Sequence, residues 1–269
     1  MGAIFRHELR NYFHSLTAYV FGAFLLAVVG LGSVLYNLQA AVSNFEFVLS
    51  FASIIFVVIV PILTMRTLAE ERRQRTDQLL YSLPITTTQV VLGKYLALLV
   101  VYLIPLAVIS LYPLLFSQFG DVYLPTSYGS LFAFFLMGAA LLAVGMFLSS
   151  LTDNQGFAAG IGIAAILLNY YSVSLAEYTS STAMGSLIAL YVIALLLGVV
   201  IHNLTQNENL AYGVAFVLIA ALSVAYFVNS SAFEGLLPDI LTKLSLFRQF
   251  NSFVNGAFDL TAIVYYVSV

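Results

Sequence analysis

The chain of 269 residues contains no cysteine, so disulfides, thiolate chemistry and Cys-ligated metal centres are out of reach. Charge is nearly as scarce: Asp, Glu, Lys and Arg make up 8% of the chain and hydrophobic residues 62%, against roughly 25% and 45–50% in a soluble domain. A mean hydropathy of +1.02 places the chain in a membrane rather than in water. Long uninterrupted apolar runs exclude a transmembrane barrel, whose strands alternate over about ten residues. Catalytic patterns are missing too. There is no paired-carboxylate, Ser-His-Asp or metal-binding constellation, and His7, His14 and His202 fall near span boundaries or on a surface segment, where solvated side chains are expected. Gly93-Lys94 lacks a glycine five residues upstream and is followed by Tyr95, so it does not form a nucleotide-binding phosphate loop. The first apolar run is a full span without a small-residue cleavage site, which argues against a signal peptide. No enzymatic activity, bound metal or nucleic-acid partner is expected of this chain.

What is present is a succession of apolar segments that predicts an all-α, polytopic helical bundle in the membrane, with about eight hydrophobic segments of which the last is incomplete. Spans are expected at 15–36, 47–64, 90–116, 128–150, 156–174, 184–201 and 210–228, and a last one starts within 257–269. Residues 2–14 are too polar to span. They set Ile4, Phe5, Leu9, Tyr12 and Phe13 against Arg6, His7, Arg10, Asn11 and His14, which predicts an interfacial helix with its arginines near anionic headgroups. Pro61 predicts a kink near the inner end of the second span, and Pro105 and Pro113 a tilt or bend in the third. Within 229–256, apolar residues such as Phe233, Leu237, Ile240, Leu244 and Phe247 recur around Glu234, Asp239, Lys243 and Arg248, predicting one or two short helices at the outer interface.

The longest polar interruption is the loop 66–89 and the start of the span after it. Between Arg66 and Lys94 it holds five of the nine Lys and Arg residues: Arg66, Arg72, Arg73, Arg75 and Lys94. Such a cluster between apolar runs predicts a cytoplasmic segment. With Arg6 and Arg10 beside it, seven of the nine basic residues are expected on one side, which predicts a cytoplasmic N-terminus. Leu68 to Tyr81 can form one helix. Glu70 stands three residues before Arg73 and Glu71 four before Arg75, the favourable order on a helix face, and Pro84 ends it. The helix is either a solvated connector or a docking helix, with Leu68, Leu79, Leu80 and Tyr81 flanking its charges. Lys94, the one charge within an apolar run, is expected to snorkel to the interface.

Glu70-Glu71-Arg72-Arg73, then Thr76-Asp77-Gln78-Leu79-Leu80, Leu83-Pro84-Ile85 and Val91-Leu92-Gly93-Lys94 resemble the signature between the second and third spans of type-2 ABC transporter permeases. Within that family the loop is most similar to the gliding-motility permease branch, the F subunit. The likeness extends over about the first 155 residues, and a second match, from Phe250 through Asp259 to Tyr265-Tyr266, lies near the C-terminus. It implies an ATP-driven transport subunit of the bacterial cell membrane, in which Glu70, Glu71, Arg72, Arg73, Arg75, Thr76, Leu79, Leu80 and Pro84 couple to a separate ATP-binding cassette subunit. That subunit would hold ATP and Mg, and a second permease protomer, identical or related, would complete the complex. Six spans suffice in the family, so 184–228 reads as an added hairpin. The family pattern continues to a basic tail, so the chain is expected to run on beyond the ten residues after Asp259. A rival reading is an ATPase-driven mechanical platform that acts on an outer-face partner and moves no solute.

Other candidates have two readings each. Thr152 or Asp153 is expected to cap the fifth span, with a minor ATPase contact as the alternative. Gly156 and Gly160 form a small-xxx-small face, read as a site of close helix approach rather than of ligand binding. Asn169, Tyr170 and Tyr171 are candidates for lining a pathway, or belong to an aromatic belt. Asp259 caps the last helix or takes part in a gate.

Overall fold

The computed structural model describes residues 2–74, 86–205 and 207–269, and among these every regular element is helical. Helix α1 (Gly2–His14) is amphipathic, and α2 (Thr17–Gly32) follows it after two residues and runs on as a π-helical stretch, Ser33–Gln39. Next come α3 (Phe45–Ser53), α4 (Phe56–Thr64) and α5 (Ala69–Gln74). The long α6 (Thr87–Ile109) continues into α7 (Leu111–Phe116), and α8 (Leu124–Ser149) and α9 (Gln155–Tyr178) follow. After α10 (Ala183–Thr205) and α11 (Glu208–Val228) come a 3₁₀ turn, Ser230–Phe233, then α12 (Leu236–Lys243), α13 (Leu246–Val254) and α14 (Leu260–Ser268).

Five stretches among the described residues are long and apolar enough to cross a membrane: Thr17–Gln39, Thr87–Phe116, Leu124–Ser149, Gln155–Tyr178 and Glu208–Val228. A sixth arises if α3 and α4, bent by 57°, are one span. The bend lies at Ile54–Ile55 rather than at Pro61. There the bonding tightens to three-residue turns, with Ile55 N–H donating to Ala52 O and Val57 N–H to Ile54 O. Ser53 Oγ also donates back to Ser50 O at 2.7 Å, a bond that commonly bends helices. The third span behaves differently at its two prolines. Pro105 stays inside α6, whereas α6 ends at Ile109, the residue whose carbonyl Pro113 can neither bond nor accommodate.

The chain forms two compact units, one running to Tyr170 and rejoined by Leu246–Val269, the other Tyr171–Ser245. The first unit is built around α8, which packs against α3, α4, α6, α13 and α14. Apolar lipid gives helices no hydrophobic reason to associate, so small residues that admit close contact decide the packing. Gly138 faces the Tyr102 ring so closely that a Cβ there would lie 2.5 Å from it, and Gly145 meets Thr64 in the same way. Around these points Leu25, Phe45, Phe56, Leu63, Leu98 and Met137 are fully buried.

Two short helices, α12 and α13, lie within 229–256, and the apolar face of the second is covered by protein. Leu246, Phe247, Phe250 and Phe253 of α13 are buried in the core of the first unit, and Ser130 Oγ donates to Phe253 O at 2.9 Å. Amphipathicity there serves packing on α3 and α8. In the second unit, α10 packs on α11, with Gly198 close to Ala215 and the Tyr191 hydroxyl 2.7 Å from Ser223 Oγ.

Candidate functional site

At the basic end of the first unit, the apolar face of α1 lies along α6. That face carries one carboxylate, Glu8. Lys94, two turns into α6, is 1% exposed, and its Nζ donates to Glu8 Oε1 and to Glu71 Oε1, both at 2.6 Å. The two carboxylates are themselves 12% and 22% exposed. Lys94 therefore does not snorkel. An unpaired charge in the membrane centre costs about 2.5–3.5 kcal/mol on insertion scales, and two charge-assisted bonds offset that burial here. One ammonium thus joins three elements: α1, α5 and α6.

The hinge into α5 is fixed from α8. Ser149 Oγ accepts from Leu68 N–H and Ala69 N–H at 3.4 and 3.2 Å and donates to Met65 O at 3.2 Å. Orphan donors at the start of a helix need such partners. Beside it, the buried Tyr12 hydroxyl lies 3.3 Å from Thr67 Oγ1, and burial pushes its phenol above the ordinary tyrosine range. On the outer side of α5, Arg72 and Arg73 are exposed, and Arg72 Nη1 comes within 4.0 Å of Asp153. Glu70 is half-buried. Of the residues assigned to coupling, Glu70, Glu71, Arg72 and Arg73 stand on α5, whereas Arg75, Thr76, Leu79, Leu80 and Pro84 lie outside the described residues. Helix α6 opens with a reciprocal cap in which Thr86 accepts from Gln89 N–H and Gln89 Oε1 accepts from Thr86 N–H.

The remaining candidates are placed as follows. Asn154, not Thr152 or Asp153, caps α9: its Oδ1 accepts from Gly156 and Phe157 N–H at 2.9 and 3.3 Å, which leaves Asp153 facing Arg72. Gly160 meets nothing within 4 Å and Gly156 only Asn154, whereas a Cβ at Gly162 would lie 3.0 Å from Pro61. The close approach within the chain is therefore made at Gly162. Asn169 Oδ1 accepts from Leu246 N–H at 3.0 Å, and the Tyr170 ring stands edge-on to Phe247 at 5.0 Å, so both brace α13. Tyr171 belongs to the second unit and is exposed. Asp259 caps α14 through Thr261 N–H at 2.8 Å. An open cleft of about 290 Å³ nearby is bordered by Tyr123, Thr126, Phe253, Gly256 and Phe258, and it includes none of these four residues. Among the described residues no group of three His, Cys, Asp or Glu could hold a metal ion.

Glu8 and Ser149 also belong to this arrangement, although no sequence motif singles them out. A carboxylate four residues before Tyr12, on the apolar face of α1, is the available signal for Glu8.

Long apolar helices around a closely packed core, with a charged helix wired to them at one end, define a multi-pass helical membrane domain. The family model described as ABC-2 family transporter protein matches residues 31–176, more than half of the chain. The chain belongs to that family, and it is a transport subunit, the membrane permease part of an ABC transporter. No curated protein and no solved structure matches it.

Proposed function

We propose that α5 and the loop 66–89 receive an ATP-binding cassette subunit, and that the network Glu8–Lys94–Glu71 passes the motion of that subunit into the membrane helices. The observation that carries this reading is the pair of 2.6 Å bonds from Lys94, because they tie α5 to the long α6 and to α1 at a buried point. A push on α5 then moves rigid helices rather than a loose loop. The partner holds ATP and Mg. Two permease protomers, identical or related, enclose the pathway, and the closing of two cassettes shifts their spans as rigid bodies. The basic residues on α1, α5 and α6 support a cytoplasmic position for this end and for the N-terminus in a bacterial cell membrane. The residues of loop 66–89 support the gliding-motility F-subunit branch within the family.

Burial decides which residues test docking. Glu71 turns inward to Lys94, whereas Arg72 and Arg73 face out. Co-purification of candidate cassette subunits with the wild type, and their loss with Arg72→Glu/Arg73→Glu, supports the reading. Equal recovery with both, or recovery with neither in any nucleotide state, refutes it.

A further inference from the structure

Helix α1 has two faces with different partners. Its inner face gives Glu8 to Lys94 and Tyr12 to Thr67. Its outer face leaves Arg6, His7, Arg10 and His14 exposed, and neither Arg6 nor Arg10 makes an ion pair among the described residues. The one carboxylate on the helix is turned away to Lys94, so the arginines next to it in sequence are not neutralised by it. Only Ser15 and Leu16 separate His14 from the membrane-crossing helix that begins at Thr17, and Leu16 is 79% exposed, so α1 is held at the headgroup level. Two unneutralised guanidiniums at that level match the phosphate of an anionic phospholipid.

We infer that the exposed basic face of α1 is a regulatory site for anionic phospholipid, and that its occupancy is communicated to α5 through Glu8, Lys94 and Glu71. A lipid drawn to Arg6 and Arg10 fixes the height and tilt of α1 on the membrane. Because Glu8 and Glu71 share one ammonium, any displacement of α1 changes where α5 is presented. The inference goes beyond the cassette-docking reading, and its test uses neither ATP nor a cassette subunit, so each can fail without the other.

The absence of cysteine in the chain allows a single spin label at Arg73→Cys on α5. Short-chain phosphatidylglycerol is titrated into the full chain in neutral detergent, with phosphatidylcholine and inorganic phosphate as comparisons, and label mobility is read. The label responds to phosphatidylglycerol alone. Arg6→Gln/Arg10→Gln raises the midpoint about thirtyfold, the equivalent of two basic contacts, whereas Arg6→Lys/Arg10→Lys and Lys243→Gln/Arg248→Gln stay within about threefold of it. Glu8→Gln keeps lipid retention, measured by native mass spectrometry, but loses the label response. A label indifferent to phosphatidylglycerol, or a midpoint unmoved by Arg6→Gln/Arg10→Gln, overturns the inference. A response to free phosphate equal to that to the lipid also overturns it.

Discussion

Lys94 Nζ lies 2.6 Å from Glu71 Oε1, across 23 residues of sequence, and this contact fastens a charged helix outside the bundle to a buried point on a membrane-spanning one. With Glu8 as the second acceptor, the ammonium has two charged partners and is almost out of reach of solvent. The arrangement is polarised: removing the cation leaves two carboxylates facing each other, whereas removing all three charges leaves none exposed to that conflict.

Lys94→Gln should therefore lower stability by about 3–5 kcal/mol, the cost of breaking a buried pair from one side. The triple variant Glu8→Gln/Glu71→Gln/Lys94→Met should come close to wild type, since apolar or neutral replacement of a whole buried network is often neutral. Denaturant unfolding in detergent micelles distinguishes them; equal losses for both would mean that the charges do not act as one network.

Ser149→Ala removes the acceptor shared by Leu68 and Ala69 N–H and the donor to Met65 O. Buried backbone donors left without a partner cost about 1–3 kcal/mol. Amide exchange should accelerate at residues 65–70, while the middle of α8 stays as protected as in wild type.

Gly138→Ala and Gly160→Ala should part company. The first drives a methyl into the Tyr102 ring and should cost about 1–3 kcal/mol of overpacking; the second meets open space and should be within about 0.5 kcal/mol of wild type in the isolated chain. Thermal unfolding of the purified chain is the measurement, and equal shifts would contradict the packing described for α8.

Asn154→Ala should destabilise the start of α9 by about 1 kcal/mol, the usual loss for an N-cap, whereas Asp153→Ala should change little, because its 4.0 Å contact with Arg72 is exposed. Exchange rates at Gly156 and Phe157 report the difference directly.

The bundle was legible from sequence because a membrane helix declares itself locally: the apolar runs around Leu25, Leu98 and Leu141 need no partner to be recognised. Contacts between distant elements were less so. Glu8 and Lys94 are 86 residues apart, and a lysine at the end of an apolar run looks the same whether it snorkels or meets a carboxylate. The helical spacing of Phe247, Phe250 and Phe253 marks an apolar face on α13 but does not say whether lipid or α8 covers it. Gly156, Gly160 and Gly162 all permit close approach, and only the position of Pro61 shows that Gly162 is the one used within the chain. Within Thr152-Asp153-Asn154, three adjacent residues are all good caps, and the choice depends on a helix boundary that shifts by one residue.

The most direct test of the account is the rate of ATP hydrolysis by the cassette subunit, co-reconstituted in vesicles with wild type or with Glu8→Gln/Glu71→Gln/Lys94→Met. The triple variant should still bind the subunit, through the exposed Arg72 and Arg73, but no longer change its hydrolysis rate. A triple variant that binds the subunit and regulates hydrolysis as wild type does would contradict the account.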